Sequence, residues 1–183
     1  IDRLLIISTD AIMVPGQRLK QHLNAVAAAK AAGVKFIAYT SMPKPKLDSP
    51  IFFAPDHLGT ENAIKESGLQ YTILRDAWYM DSLPMFLSGP LKAGVMMSAA
   101  GNGKSAHVAR EDCARVAAAV LQNPLDNQTL DVTGPAALTT SEIIEIATEV
   151  LGKPLKLIDV TPEKLSDGLK QAGVPDGFIG FFL

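Results

Sequence analysis

The residues best suited to chemistry are hydroxyls, a guanidinium and three histidines. Ser8-Thr9, Tyr39-Thr40-Ser41 and Arg75-Asp76 each close a short apolar run of strand character. In a wound parallel sheet, ligands bind beyond the carboxyl ends of the strands, so three polar clusters at such ends suggest one binding edge. Polar residues there also serve as helix caps and turn formers, and both readings stand at this point. His22, His57 and His107 are isolated, with no pair at metal-ligand spacing, so no metal site is expected. His22 falls mid-helix and reads as a surface or hydrogen-bonded residue, and His107 as a satisfied structural one. No Gly-x-Ser-x-Gly elbow occurs, which leaves a Ser-His-Asp hydrolase without support.

Gly101-Asn102-Gly103-Lys104-Ser105 imitates the end of a phosphate-binding loop. That loop needs a further glycine where Ser98 stands, and a helix straight after Lys-Ser. Ala106-His107-Val108-Ala109 follows instead, so this is read as a glycine turn. Cys113 stands behind Glu111 and Asp112. Neighbouring carboxylates disfavour a thiolate, and buried filler is the stronger reading.

These residues need a scaffold, and the apolar pattern describes one. Leu4–Ile7, Val34–Thr40 and Tyr71–Leu74 read as buried strands. Between them, Leu19, Leu23, Val26, Ala27 and Ala31 recur at helical spacing up to Gly33, and Pro55 opens a second helix that runs towards Gly68. Strand, helix, strand, helix, strand predicts right-handed βαβ units in a parallel sheet. Further on, a short helix over 79–87 is expected to stop at Gly89-Pro90. Strands over 95–98, 129–133 and 155–160 alternate with helices over 111–122, from the Thr139-to-Glu142 caps to Gly152, and after Thr161-Pro162. The fold class is α/β, a Rossmann-like parallel sheet with a small α/β lobe.

The 183 residues carry 17 basic and 19 acidic side chains, and 48% are hydrophobic. Such balance gives no footprint for nucleic acid or an anionic lipid surface, and no apolar stretch suits a membrane span. One cysteine excludes an internal disulfide, so a reducing, cytoplasmic setting is expected. The chain opens Ile1-Asp2-Arg3 and closes Phe181-Phe182-Leu183. Both ends read as cut, and the chain as a piece of something longer.

Gln21-His22-Leu23-Asn24-Ala25-Val26, the run Ala28 to Ser41, and Tyr71 to Tyr79 together resemble the NmrA-like branch of the atypical short-chain dehydrogenases. Within it, the bacterial quinone reductases are the nearest pattern. Gly101–Lys104, Ala109–Asp112 and Ala172–Gly177 extend the likeness along the chain. The resemblance implies a partial NAD(P)-binding Rossmann domain over 1–90. It also implies a smaller substrate lobe over 91–183, some of whose segments return to the Rossmann sheet. It implies NADPH or NADH as cofactor, NADPH being favoured, and a quinone-like acceptor. Members begin with a Gly-rich turn that is missing here, and Leu4–Ile7 matches their fourth strand. About seventy residues of βαβαβ are therefore expected to be absent, at ~30 per unit. A sheet without those strands exposes an edge, so a homo-oligomer is possible.

Short-chain dehydrogenases place Tyr-x-x-x-Lys at the helix that starts here near Pro55. That match puts Phe53 at the Tyr position and His57 at the Lys position. Phe transfers no proton. His57 is accordingly expected to be the catalytic group, meeting the ribose or a quinone oxygen and supplying a proton, against the plainer reading of a solvent-facing histidine. Ser8, Thr9, Tyr39, Thr40, Ser41, His57 and Arg75 are the expected cofactor-binding residues. Trp78, Tyr79 and Phe86 are the expected wall for a planar ring, with core packing as their rival role and the stronger one for Phe86. The competing function is a non-catalytic, dinucleotide-sensing regulator that docks on a protein partner.

Overall fold

The computed structural model describes all 183 residues. They divide into two units. One comprises residues 1–49, 53–77 and 108–133, and the other residues 50–52, 78–107 and 134–183.

In the first unit, β1 (Arg3–Ile6), β2 (Phe36–Ser41), β3 (Gln70–Asp76) and β6 (Gln128–Val132) form one sheet in the order β1-β2-β3-β6, every pair parallel. Parallel neighbours need crossovers, and the helices α1 (Gln17–Ala31), α2 (Ala54–Glu66) and α4 (Arg110–Gln122) supply them. Ile6, Ile37, Tyr39 and Ile73 point to one face, where they pack with Val26 and Ala29 of α1 and Ile64 of α2. Alternation sends Phe36, Ala38, Thr72 and Leu74 to the other face, and α4 packs on the sheet with Cys113, Ala117 and Val120 buried. The α/β class with a parallel, Rossmann-like sheet is thus observed.

Local signals set most boundaries. Gly33 follows α1 with φ 71°, a left-handed turn that glycine adopts without steric cost. The stripe read along α1 is rotated, however. Arg18, His22, Val26 and Ala29 are buried, while Leu23, Ala27 and Ala31 are exposed. Apolar spacing alone did not set that face, because Arg18 and His22 find hydrogen-bond partners at the strand ends. Leu19 turns towards α2 and meets Gly59, where a Cβ would stand 2.9 Å from Leu19 Cδ1.

The second unit has α3 (Leu83–Ala93) after a 3-10 turn (Met80–Ser82), then β4 (Val95–Ser98) and β5 (Lys104–Ser105). It continues with β7 (Leu138–Thr139), α5 (Thr140–Leu151), β8 (Lys156–Asp159), α6 (Pro162–Gln171) and α7 (Asp176–Ile179). β4 pairs with β8 in parallel and β5 with β7 antiparallel. Leu87, Ile144 and Leu155 form its core, supported by Leu83, Leu91, Met96 and Leu157. The expected stop at Gly89-Pro90 is corrected, since α3 runs through both to Ala93. Proline removes a single N–H from the ladder, and the packing of Leu87 and Leu91 carries the helix past it. Thr139 and Glu142 form a reciprocal capping box at α5, and Thr161 caps α6. Lys104-Ser105 lies in β5, with no helix directly after it, consistent with a glycine turn rather than a phosphate loop. No helix is long and apolar enough to cross a membrane.

Candidate active site

All four parallel strands of the first unit end at one edge, and a buried polar network lies behind it. The exit of β1 is fastened first. The Ser8 N–H donates to Thr40 Oγ1 at 3.1 Å, and Ser8 Oγ donates to the Thr40 carbonyl at 2.7 Å. The Thr9 N–H donates to His22 Nε2 at 3.0 Å, and Arg18 Nε donates to the Thr9 carbonyl at 2.8 Å. Ser8, Thr9 and Thr40 remain partly exposed. Helix α1 thus uses its first two turns to hold the loop that follows β1.

Both histidines are locked as neutral tautomers. A backbone N–H donates to His22 Nε2, so the ring proton sits on Nδ1 and is donated to Thr60 Oγ1 at 2.9 Å. The Thr60 hydroxyl in turn donates to the Asp56 carbonyl at 2.6 Å. For His57 the donor is Arg18 Nη2, 3.1 Å from Nε2, which leaves Nδ1–H to donate to Tyr39 Oη at 3.0 Å. Ser8 Oγ lies 3.3 Å from the same phenol oxygen. Burial lowers His22 to about 4 and His57 to about 3, and the Arg18 charge adds to both effects. Burial also raises Tyr39, which keeps its proton.

The plainer reading of His57, a solvent-facing histidine, is corrected here. The ring is 5% exposed, both nitrogens are engaged, and it carries no spare proton near neutral pH. It does not face solvent, and through its Nδ1–H it orients Tyr39. His22, read as a surface or hydrogen-bonded residue, is buried and hydrogen-bonded. Phe53 lies at the start of α2 beside the His57 ring, and the Arg18 guanidinium sits 5.0 Å over the Phe53 ring.

Ser41 and Arg75 meet a group that spacing did not disclose. Glu61 of α2 is fully buried, and Arg75 grips both of its oxygens, at 3.0 and 2.7 Å. Ser41 Oγ donates to it at 2.7 Å. Burial alone pushes Glu61 upward, but the bonds from Arg75 and Ser41 outweigh it and hold the carboxyl below its usual range. Ser41 and Arg75 therefore fix α2 to β2 and β3 through Glu61. Arg18, His22, Thr60 and Glu61 were missed because polar residues on a helix read as its solvent face. The available signal was spacing, since Arg18 and His22, and likewise His57 and Glu61, are four apart and share a face.

In the second unit, Trp78 and Phe86 are exposed and Tyr79 half-buried. The core role preferred for Phe86 is corrected, because its ring is 36% exposed and meets Phe182 edge-on. Cys113 is buried filler in the first unit, its thiol pushed up to about 12 by burial and the neighbouring Asp76. A shallow depression lined by Asp2, Arg3, Lys35, Phe36, Gln70 and Pro124 lies at the amino ends of the strands, away from this edge. No cluster of His, Cys, Asp and Glu is built to hold a metal ion.

A family model described as NAD(P)H-binding matches residues 6–124, which hold the whole network. The chain belongs to this NAD(P)H-binding family. Quinone oxidoreductase 2 of Escherichia coli is 36% identical over 178 residues, which are 97% of this chain and 61% of that protein. An NmrA-like family domain-containing oxidoreductase of Aspergillus flavus is 32% identical over 171 residues, 91% of this chain and 55% of its own length. Both bear out the NmrA-like resemblance. The crystal structure of the Escherichia coli NADPH-dependent quinone oxidoreductase complexed with NADPH superposes with a TM-score of 0.87 at 36% identity. That match covers all of this chain and 63% of the other. This member of the NAD(P)H-binding family thus spans somewhat under two thirds of the length of those relatives.

Proposed function

We propose that this chain acts as an NAD(P)H-dependent oxidoreductase that reduces a quinone-like acceptor by two electrons, NADPH being the favoured donor. The observation that supports it is the row of partly exposed hydroxyls, Ser8, Thr9 and Thr40, backed by a buried hydrogen-bonded network at the carboxyl edge of the sheet. Such hydroxyls donate and accept, which suits ribose hydroxyls and a carboxamide. The residues present fit the nicotinamide-ribose end of a dinucleotide. A Gly-rich turn for the pyrophosphate does not occur in the sequence.

When bound, the reduced nicotinamide supplies a hydride to the acceptor. The protein's own part is positional. Arg18 fixes the His57 tautomer, His57 fixes Tyr39, and Tyr39 with Thr40 fixes Ser8. Arg18 also places positive charge near an edge that would take an anionic cofactor, whereas the Arg75 charge is balanced by Glu61. His22 and His57 hold no transferable proton, so the reduced acceptor draws its proton from solvent. Trp78, Tyr79 and Phe86 are the proposed apolar surface for the planar ring.

The rival reading, a dinucleotide sensor, draws on that same lack of an internal acid. Adding 1,4-naphthoquinone to the chain with NADPH separates the two. Loss of NADPH absorbance in step with quinone added is the expected result. Cofactor binding without consumption would establish the sensor.

A further inference from the structure

Four aromatic rings of the second unit meet at one place. Phe178 and Phe181 lie nearly parallel, centroids 5.9 Å apart with 19° between planes. Phe52 stands edge-on to both, at 5.4 and 5.9 Å. Trp78 completes the group, tilted 56° against Phe181 at 5.4 Å. Gly180 permits the assembly. A Cβ at that position would stand 2.2 Å from the Pro50 carbonyl oxygen, so only glycine lets this turn approach the segment bearing Phe52.

A core would hide such rings, yet Trp78 is 41% exposed and Phe52 37%. The rings pack on one another while keeping area open to solvent. Rigid aromatic surface costs little entropy to use in binding, and ring pairs attract beyond their buried area. Phe181 touches Phe52, Phe178 and Trp78, and is therefore the centre of the cluster.

We propose that Phe181 is a specificity-determining residue that favours fused-ring planar acceptors over single-ring ones. It rests on the reading of Trp78 as the acceptor wall and deepens it. A single conjugated ring covers the indole alone, and a second fused ring on the same plane reaches Phe181, which is tilted 56° to the indole and meets it at an edge. No covalent step belongs to this role. The residue acts by contact with the second ring of the acceptor.

Trp78 is the only tryptophan of the chain, so its fluorescence reports on this surface without any turnover. The chain is titrated with 1,4-naphthoquinone and with 1,4-benzoquinone, corrected for absorbance. Saturable quenching is expected, with naphthoquinone binding roughly three- to tenfold more tightly. Phe181→Leu should raise the naphthoquinone Kd by a similar factor and leave the benzoquinone Kd unchanged, and Phe181→Tyr should restore it. Equal affinity of the native chain for the two quinones overturns the proposal, and that comparison needs no variant to fold. Saturable quenching indifferent to Phe181→Leu overturns it too, while leaving Trp78 as the wall. Quenching that rises without saturation removes both. Phe181-dependent binding without NADPH consumption would sink the reductase reading and support the ring preference.

Discussion

Arg18 Nη2 donates to His57 Nε2 across 3.1 Å, and an arginine side chain has no lone pair to offer in exchange. That one contact fixes where the His57 proton sits, and through Tyr39 it reaches the serine at the exit of β1. A buried histidine at the start of a helix thereby becomes part of the site's frame rather than its acid.

Acid should expose this arrangement first. His57 and His22 titrate at about 3 and 4 in the folded chain, against an ordinary value near 6.5. Between those limits the unfolded chain binds more protons. The stability present above about pH 6.5 therefore falls as pH drops, by about 1.4 kcal/mol per pH unit for each histidine. Urea unfolding followed from pH 7.5 to pH 5 should show that slope, since Glu61 begins to lose its contribution only below the carboxylate range. His57→Gln should remove close to half of it. A slope unchanged in His57→Gln would place the titration elsewhere.

Removing the Tyr39 hydroxyl should be costly without any loss of packing volume. Tyr39→Phe leaves His57 Nδ1–H without its acceptor in a buried place, an expected loss of about 1–3 kcal/mol by denaturant unfolding. If turnover follows the proposed frame, kcat should fall together with the disturbed Ser8 position, while the Kd for naphthoquinone at Trp78 stays constant.

The Glu61–Arg75 pair should behave as a structural clamp. Glu61→Ala strips Arg75 and Ser41 of their shared partner, and a loss of about 3 kcal/mol is expected. Arg75 keeps a quarter of its side chain in water, which limits the penalty on the charge left behind. A loss under about 1 kcal/mol would mean that water replaces the pair.

Two glycines make opposite predictions for the same substitution. Gly59→Ala meets only the end of the Leu19 side chain, 2.9 Å away, and gains helix propensity of up to about 1 kcal/mol, so its net effect should be near zero. Gly180→Ala meets a backbone carbonyl at 2.2 Å and cannot be relieved by a rotamer. It should cost about 1–3 kcal/mol and shift the Trp78 emission, because the Phe181 turn must leave its seat. Thermal unfolding of both variants, with emission spectra, checks the pair.

The sequence by itself determined the order of the main elements and most of their stops, the end of α3 excepted. Gly33 ends α1, Thr139 with Glu142 starts α5, and Thr161-Pro162 starts α6, because caps and turns are decided by neighbours along the chain. The strand ends bearing Ser8, Thr40 and Arg75 were legible for the same reason, and the family resemblance followed from the same runs. Tertiary structure alone decided what those ends touch. Whether Arg18, His22, Thr60 and Glu61 face water or the strand edge depends on partners tens of residues away, and a polar helical residue looks the same in either case. The exposure of Phe86 and the gathering of Phe52, Trp78 and Phe181 were likewise settled by long-range packing. Burial and hydrogen-bond satisfaction are properties of the assembled fold, and local spacing does not carry them.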